Sequence, residues 1–275
     1  MDLKLLKNEP ALLLQEGKRR ILVVADLHIG YERTLFRQDQ YTANLSERII
    51  QHLLQIVTET KPNEVIILGD IKHTIKEFSQ QEFRKVALLL QRIQDLSSLT
   101  IIRGNHDADL ELVIPDNTQI IPSSGLKLTF RKHNVFLLHG HAQPSVEFLS
   151  CESLLMAHVH PVLAIPSLKS RFITHRVWVR TRWNPSIVDA ANSWFQRLKS
   201  NLPQDANQHL LEMRILILPA FLNLLRGHII NRMAKNPRLG TPLFQHLALN
   251  EAEIIMLDQT PLGQLKQLYQ DLRND

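Results

Sequence analysis

Short apolar runs broken by polar turns dominate the first hundred residues, with two longer stretches of helical spacing between them. Ala11 to Leu14 reads as a strand, Glu16-Gly17-Lys18 as a turn, and Arg20 to Ala25 as a buried strand running back, so the chain opens on a hairpin. Asn44 stands at a cap position, and Leu45, Ile49, Leu53, Ile56 and Val57 follow with helical periodicity up to Pro62. Glu64 to Leu68 predicts the next strand. A second helix is expected around Ser79 to Leu96, with Phe83, Val86, Ala87, Leu90 and Ile93 on one face, and Leu99 to Ile102 predicts a third strand. This β-α-β-α-β alternation implies a parallel sheet with crossover helices.

From about Thr118 the rhythm changes to short strands with tight links: Gln119 to Ile121, Leu126 to Phe130, Val135 to Leu138, Leu154 to Ala157 and Val162 to Ile165. A second sheet, mixed or antiparallel and packed on the first, is the expectation. Pro185 to Lys199 carries an amphipathic helical pattern that leads into a polar linker at Ser200 to Gln208, so 184–208 reads as a helical insertion within one domain spanning 1–275. Strand-like stretches return at Arg214 to Leu218 and Glu253 to Leu257.

Composition narrows the class. The chain is 44% hydrophobic and 21% charged over 275 residues, as expected of a folded globular protein. Its apolar runs are strand-sized, too short to span a bilayer, and the leading residues alternate charge with leucine; a cytoplasmic protein without membrane association is expected. With Cys151 as the single cysteine, an internal disulfide and a thiolate-rich zinc site are excluded, so any metal must be held by nitrogen and oxygen. A net charge of +5 suits a polyanionic partner.

The chemistry sits at the ends of the predicted strands. Of 13 histidines, seven (His28, His73, His106, His139, His141, His158 and His160) fall in short motifs there, and Gly30, Gly69, Gly104 and Gly140 lie within two residues of those motifs. Arg20 to Ala25 delivers Asp26-Leu27-His28; Glu64 to Leu68 delivers Gly69-Asp70; Leu99 to Ile102 delivers Arg103-Gly104-Asn105-His106-Asp107. Val135 to Leu138 delivers His139-Gly140-His141, and Leu154 to Ala157 delivers His158-Val159-His160. Carboxyl ends of strands are where ligand sites of open α/β sheets gather. In extended chain, residues two apart face one way, so Asp26 with His28 and His158 with His160 can each address one site. Most of the motifs are weak alone: Asp-x-His is often a cap, Gly-Asp a turn and His-x-His a solvated pair, while Gly-Asn-His-Asp is stronger, with a tight loop as its plain reading. Their joint occurrence at five strand ends points to a pair of cations about 3.5–4 Å apart, able to clamp a water-derived nucleophile and a phosphoryl group.

As a set, Asp26/His28, Gly69-Asp70, Gly104-Asn105-His106-Asp107, His139 and His158-Val159-His160 resemble the calcineurin-like metallophosphoesterase superfamily. The string Ala25-Asp26-Leu27-His28-Ile29-Gly30-Tyr31-Glu32, with Gly69-Asp70-Ile71-Lys72-His73, is similar to its archaeal SbcD-related branch and to phosphoesterases found with DNA ligases. Leu218-Pro219-Ala220-Phe221, Gly227 and Leu257-Asp258-Gln259-Thr260 resemble the closing elements of that branch. The resemblance implies an α/β fold, a two-sheet sandwich flanked by helices in α/β/β/α layers. It implies one metal on Asp26, His28, Asp70 and His160 and a second on Asp70, Asn105, His139 and His158, with Asp70 shared. His106 would be the general acid or a phosphate contact, and Asp107 would hold it in position.

That likeness, with the basic balance, predicts a phosphodiesterase or nuclease acting on DNA or RNA through a two-metal-activated hydroxide, in association with DNA-repair proteins. A small cyclic or mononucleotide phosphodiesterase, and a catalytically weak binding or scaffold protein, are the alternatives. Manganese is the expected metal, with iron(II), zinc or nickel also suited to such ligands. His73 reads as a phosphate-contacting residue or a plain loop histidine, Arg103 as a phosphate contact or an arginine lying along the sheet edge, and His141 as a donor outside the ligand set. In Lys169 to Trp183, alternation places Arg176, Trp178, Arg180 and Arg182 on one face, either a nucleic-acid track or a solvated strand face. Ala157 stands where the family has glycine, which predicts a tightened or distorted site.

Overall fold

A computed structural model describes residues 1–35, 44–76, 78–167, 172–185, 206–235, 241 and 243–270. The helix expected over 185–199 and most of the 184–208 insertion lie outside them.

Two sheets face each other. The first has the order β1 (Asp2–Leu5), β2 (Ala11–Glu16), β3 (Arg19–Val24), β4 (Glu64–Leu68), β5 (Ser98–Ile102) and β6 (Gln119–Ile121). β1, β2 and β3 pair antiparallel, and β3 to β6 run parallel. The second sheet has the path β14 (Pro261–Gln264), β13 (Glu253–Met256), β11 (Ile173–Thr181), β12 (Arg214–Ile217), β9 (Ser153–Met156), β8 (His133–Leu138) and β7 (Leu126–Phe130), with β10 (Val162–Ile165) beside β11. Strands β8, β9 and β12 run parallel, so their carboxyl ends meet at one edge.

Period-two alternation divides the apolar runs between three cores. Leu22 and Val24 of β3 face helices α1 (Leu45–Thr60) and α2 (Gln80–Gln94), while Ile21, Val23 and Ala25 face the second sheet. On β8, Val135 and Leu137 point into the inter-sheet core, and Phe136 and Leu138 into an outer core. That outer core is closed by α3 (Ala206–Glu212), α4 (Ile230–Met233) and α5 (Leu265–Gln270) through Leu210, Ile230, Met233 and Leu265. Strands buried on both faces read as continuous apolar runs, so the short run bounded by turn residues, rather than alternation, marks them in the sequence. The result is the helix–sheet–sheet–helix layering.

Four local expectations change. Gln119–Ile121 belongs to the first sheet, pairing parallel with β5 from Thr100↔Gln119 to Ile102↔Ile121. A three-residue strand reached through a short 3₁₀ turn at Leu110–Leu112 carries no pattern that assigns it to either sheet. The alternation at Asp2–Leu5 is a half-buried edge strand. Asn44 makes no side-chain cap bond at α1, whereas Ser79 and Glu82 form a reciprocal capping box at α2. On α2, Val86, Leu89, Leu90 and Ile93 are buried and Phe83 is exposed.

Candidate metal centre

The turns after β3, β4, β5, β8 and β9 converge because neighbouring turns are tied to one another. The Asp26 N–H donates to the Gly69 carbonyl at 3.1 Å, His28 N–H to Asp70 at 2.9 Å, and Ile29 N–H to Ile71 at 2.8 Å, extending the β3/β4 pairing past the strands. In the second sheet, Ala157 N–H donates to His139 at 2.9 Å. Gly69 (φ +72°) and Gly104 meet between these turns: a Cβ on Gly69 would lie 2.6 Å from His139 Nδ1, and one on Gly104 would strike the Asp70 carboxylate. Only glycine fits either place.

The side chains gather around two carboxylates. Asp70 Oδ2 faces His139 Nε2 at 3.4 Å, His28 Nε2 at 3.5 Å and His106 Nε2 at 4.0 Å. Asp26 Oδ1 faces His160 Nε2 at 3.3 Å and His139 Nδ1 at 3.8 Å. Asp26, His28, Asp70 and His160 form one group with ligand-sized spacing, Asp70, His139 and His158 form another, with Asp70 in both, and His28, His73 and His106 form a third that holds no carboxylate. Asn105 is exposed in the turn between Gly104 and His106.

Do these residues fit cations? Asp26 Oδ1, His28 Nε2 and His160 Nε2 are buried and have no hydrogen-bond partner. Such atoms are costly to bury unless something coordinates them. His139 Nδ1 donates to the Leu68 carbonyl at 2.7 Å, which leaves Nε2, 3.4 Å from Asp70 Oδ2, as the nitrogen a metal would take. Burial pulls His28 down to about 2 and His158 to about 3, so both imidazoles are neutral at physiological pH. Burial also opposes charge on His139, yet Asp70 and Asp26 outweigh it and push that pKa up to about 9. Burial acts to raise Asp70, but His139, His28 and His106 overcome it and hold the carboxyl below its ordinary range. The His139 imidazolium thus marks a place where positive charge is favoured beside two buried carboxylates, and the donor set suits divalent metals.

Several side chains take positions other than those expected. Asp107 does not hold the His106 ring. Its carboxylate accepts from the N–H groups of Asp70, Ile71 and Gly104, each at 2.8 Å, so it braces two turns against each other. His106 is held instead from Nδ1, which donates to the His73 carbonyl, and from its N–H, which donates to Asp70 Oδ1 at 3.0 Å. Arg103 is engaged by its own loop, through the Asp107 carbonyl at 3.1 Å and the Glu111 carboxylate. His73 packs against the site with Nδ1 3.3 Å from His28 Nδ1. His141 lies beside His139 and His158, its Nδ1 buried without a partner, and burial lowers its pKa to about 4. Ala157 has no positive φ and is buried in the inter-sheet core.

Other residues secure the centre without a motif to announce them. The Leu222 and Phe221 N–H groups donate to the carbonyls of Asp26 and Ala25, and His228 bonds the Val159 carbonyl through both N–H and Nδ1. Ser46 accepts from the Gly30 N–H at 2.9 Å and donates to buried Glu32, which Lys85 pairs at 2.8 Å. The Tyr31-Glu32 pair in the family-like string was the available signal.

The family model for calcineurin-like phosphoesterases matches residues 19–202, more than half of the chain and the whole of this centre. The chain belongs to that family. This calcineurin-like phosphoesterase is similar in structure to the nuclease MPE of Pseudomonas putida, with a TM-score of 0.52 and 18% identity over 95% of this chain and 100% of that one. It is also similar to Yfce, a phosphoesterase from E. coli, with a TM-score of 0.36 and 17% identity over 55% of this chain and 75% of that one. No curated protein sequence matches significantly. Among the described residues, no helix is long and apolar enough to cross a membrane.

Proposed function

We propose that this phosphoesterase is a two-metal phosphodiesterase acting on DNA or RNA. The observation that carries the reading is the sharing of Asp70 between two ligand groups on neighbouring strand ends. Asp26, His28, Asp70 and His160 would hold one cation, and Asp70, His139, His158 and Asn105 the other. Bound there, two divalent cations supply Lewis-acid polarisation of the phosphoryl group and activate the attacking water. Manganese suits these nitrogen and oxygen ligands.

The protein's own groups do the rest. Asp26 and Asp70 bring the negative charge that seats the cations, and neutral His28 and His158 add lone pairs without opposing charge. His106 has its Nδ1 occupied by the His73 carbonyl, so Nε2, the nitrogen facing Asp70, is the one able to pass a proton to the leaving oxygen. Asp107 keeps the Asp70 and His106 turns in register through the main chain. A polyanionic substrate is supported by the pI near 9.4, and the fold is one that a Pseudomonas putida nuclease uses. A small-nucleotide substrate is the second reading, favoured by the state of the arginine strand: half-buried Arg176 is spent on the Ala220 and Phe221 carbonyls and Arg180 is paired with Glu253.

One screen with manganese tests this: single-stranded DNA, duplex DNA, RNA, cyclic nucleotides and a nitrophenyl phosphodiester, side by side. Cleavage of a polynucleotide is the expected result. Turnover of cyclic nucleotides alone would assign the small-nucleotide reading instead.

A further inference from the structure

We infer that His73 sets the orientation and tautomer of His28, so that a residue outside the two groups that share Asp70 governs how the first cation is held. The inference rests on the reading of His28 as a ligand.

His28 Nδ1 and His73 Nδ1 face each other at 3.3 Å, the long end of hydrogen-bond range, while His28 Nε2 faces Asp70 Oδ2 at 3.5 Å. Two imidazole nitrogens in contact share one proton: one donates and the other accepts. If His73 donated, the His28 proton would sit on Nε2, aimed at Asp70 and blocking coordination. With His28 Nδ1–H donating to His73, Nε2 keeps its lone pair toward Asp26, Asp70 and His160. The empty bonding capacity of buried His28 Nε2 agrees with this assignment. His139 obeys the same rule, with the Leu68 carbonyl as the acceptor on Nδ1. A partner on the far nitrogen fixes a metal-binding imidazole. For His139 that partner is main chain; for His28 it is the side chain of His73.

His73 is itself rigidly placed. Its N–H donates to Ile29 at 2.9 Å, the Tyr31 ring meets its ring edge-on at 4.9 Å, and the His106 ring stacks at 5.6 Å. The next residue, Thr74, bonds both carboxylate oxygens of Glu82 at 3.1 Å, and buried Lys72 donates to the carbonyls of Thr74 and Lys76. His73 is therefore a positioning residue with two outputs: its ring on the metal ligand, and its carbonyl on His106.

The test is manganese titration by calorimetry, without substrate, of metal-free wild type, His73→Ala, His73→Phe and His73→Asn. Alanine and phenylalanine are expected to weaken one of the two cations by about 10–100-fold and leave the other nearly unchanged. Asparagine, whose amide oxygen can accept from His28 Nδ1–H, should retain most of the affinity. Phenylalanine fills the space against Tyr31 and His106, and the melting point of each metal-free form separates a folding defect from a ligand defect. Imidazole nitrogen NMR of the zinc-loaded protein should show His28 protonated at Nδ1. Equal uptake of both cations by all four proteins overturns the inference while leaving the metal centre standing; a proton on His28 Nε2 removes His28 from the ligands and the inference with it. A wild type that takes up no cation removes both.

Discussion

Asp26, His28, Asp70, His158 and His160 all adopt left-handed backbone, with φ of 57°, 45°, 54°, 72° and 43°. A residue with a Cβ resists that region at a cost on the order of 1–3 kcal/mol. The cost is accepted where it lets a side chain turn off a strand end into the centre, and the bonds between adjacent turns, with Asp107 across them, hold it there. His106 differs: its φ is not positive, and its ring is fixed by one carbonyl. His106→Ala is therefore expected to keep both cations, measured by metal analysis, and to lose about 10²–10⁴-fold in rate if it transfers a proton. The loss should shrink for nitrophenyl esters, whose leaving group needs no proton. An equal loss on good and poor leaving groups would make His106 a phosphate-positioning residue.

Among the elements, β11 shows how little alternation says about what a face meets. Its even-numbered face, Arg176 to Arg182, looks cationic in the sequence, yet Trp178 is fully buried between the sheets. Arg176 donates to the carbonyls of Ala220 and Phe221 at 2.8 and 2.9 Å, fastening the segment that braces Asp26. Arg180 pairs with Glu253 of β13 at 2.8 Å. A nucleic-acid track along this strand would need free cations at regular intervals, and the neighbouring strand supplies acid instead. Joint replacement of Arg180 and Arg182 by alanine is thus expected to leave the salt dependence of DNA binding almost unchanged. A slope reduced by about 0.9 per log unit for each arginine would show both on the phosphate backbone.

At the scale of the molecule, the centre joins the two sheets. Asp26, Asp70 and His106 leave strands of the first, and His139, His158 and His160 leave strands of the second. Cations held there bind the native arrangement and not the unfolded chain, so they stabilise it by about 2.7 kcal/mol per site at a hundred times Kd. Manganese should raise the melting temperature of the metal-free protein by several degrees. Excess chelator should reverse that rise and abolish hydrolysis, and fresh manganese should restore both. Full hydrolysis in protein shown to be metal-free would rule out the metal-dependent reaction.

Strand runs, the two main helices and the order of the polar clusters were legible in the sequence because each is local. Burial on both faces makes β3, β4, β5, β8 and β9 continuous apolar runs, and turn chemistry puts Asp, His and Gly where each one stops. That marked where the candidate ligands stand; the family came from the likeness of the motifs taken as a set, and the match over residues 19–202 shows it. What each side chain touches was not legible, because partners tens of residues apart in sequence meet only when two sheets close. Asp107 precedes no obvious partner, and only the packed turns give its carboxylate three N–H groups from Asp70, Ile71 and Gly104. His73 and His28 are 45 residues apart, and the parallel pairing of β3 with β4 brings their rings together. Gln119–Ile121 and the arginines of β11 carry the same lesson: a three-residue strand or an alternating face has no local feature naming its neighbour. Chemistry was written along the chain one strand end at a time, and tertiary structure decided which of those ends share an atom.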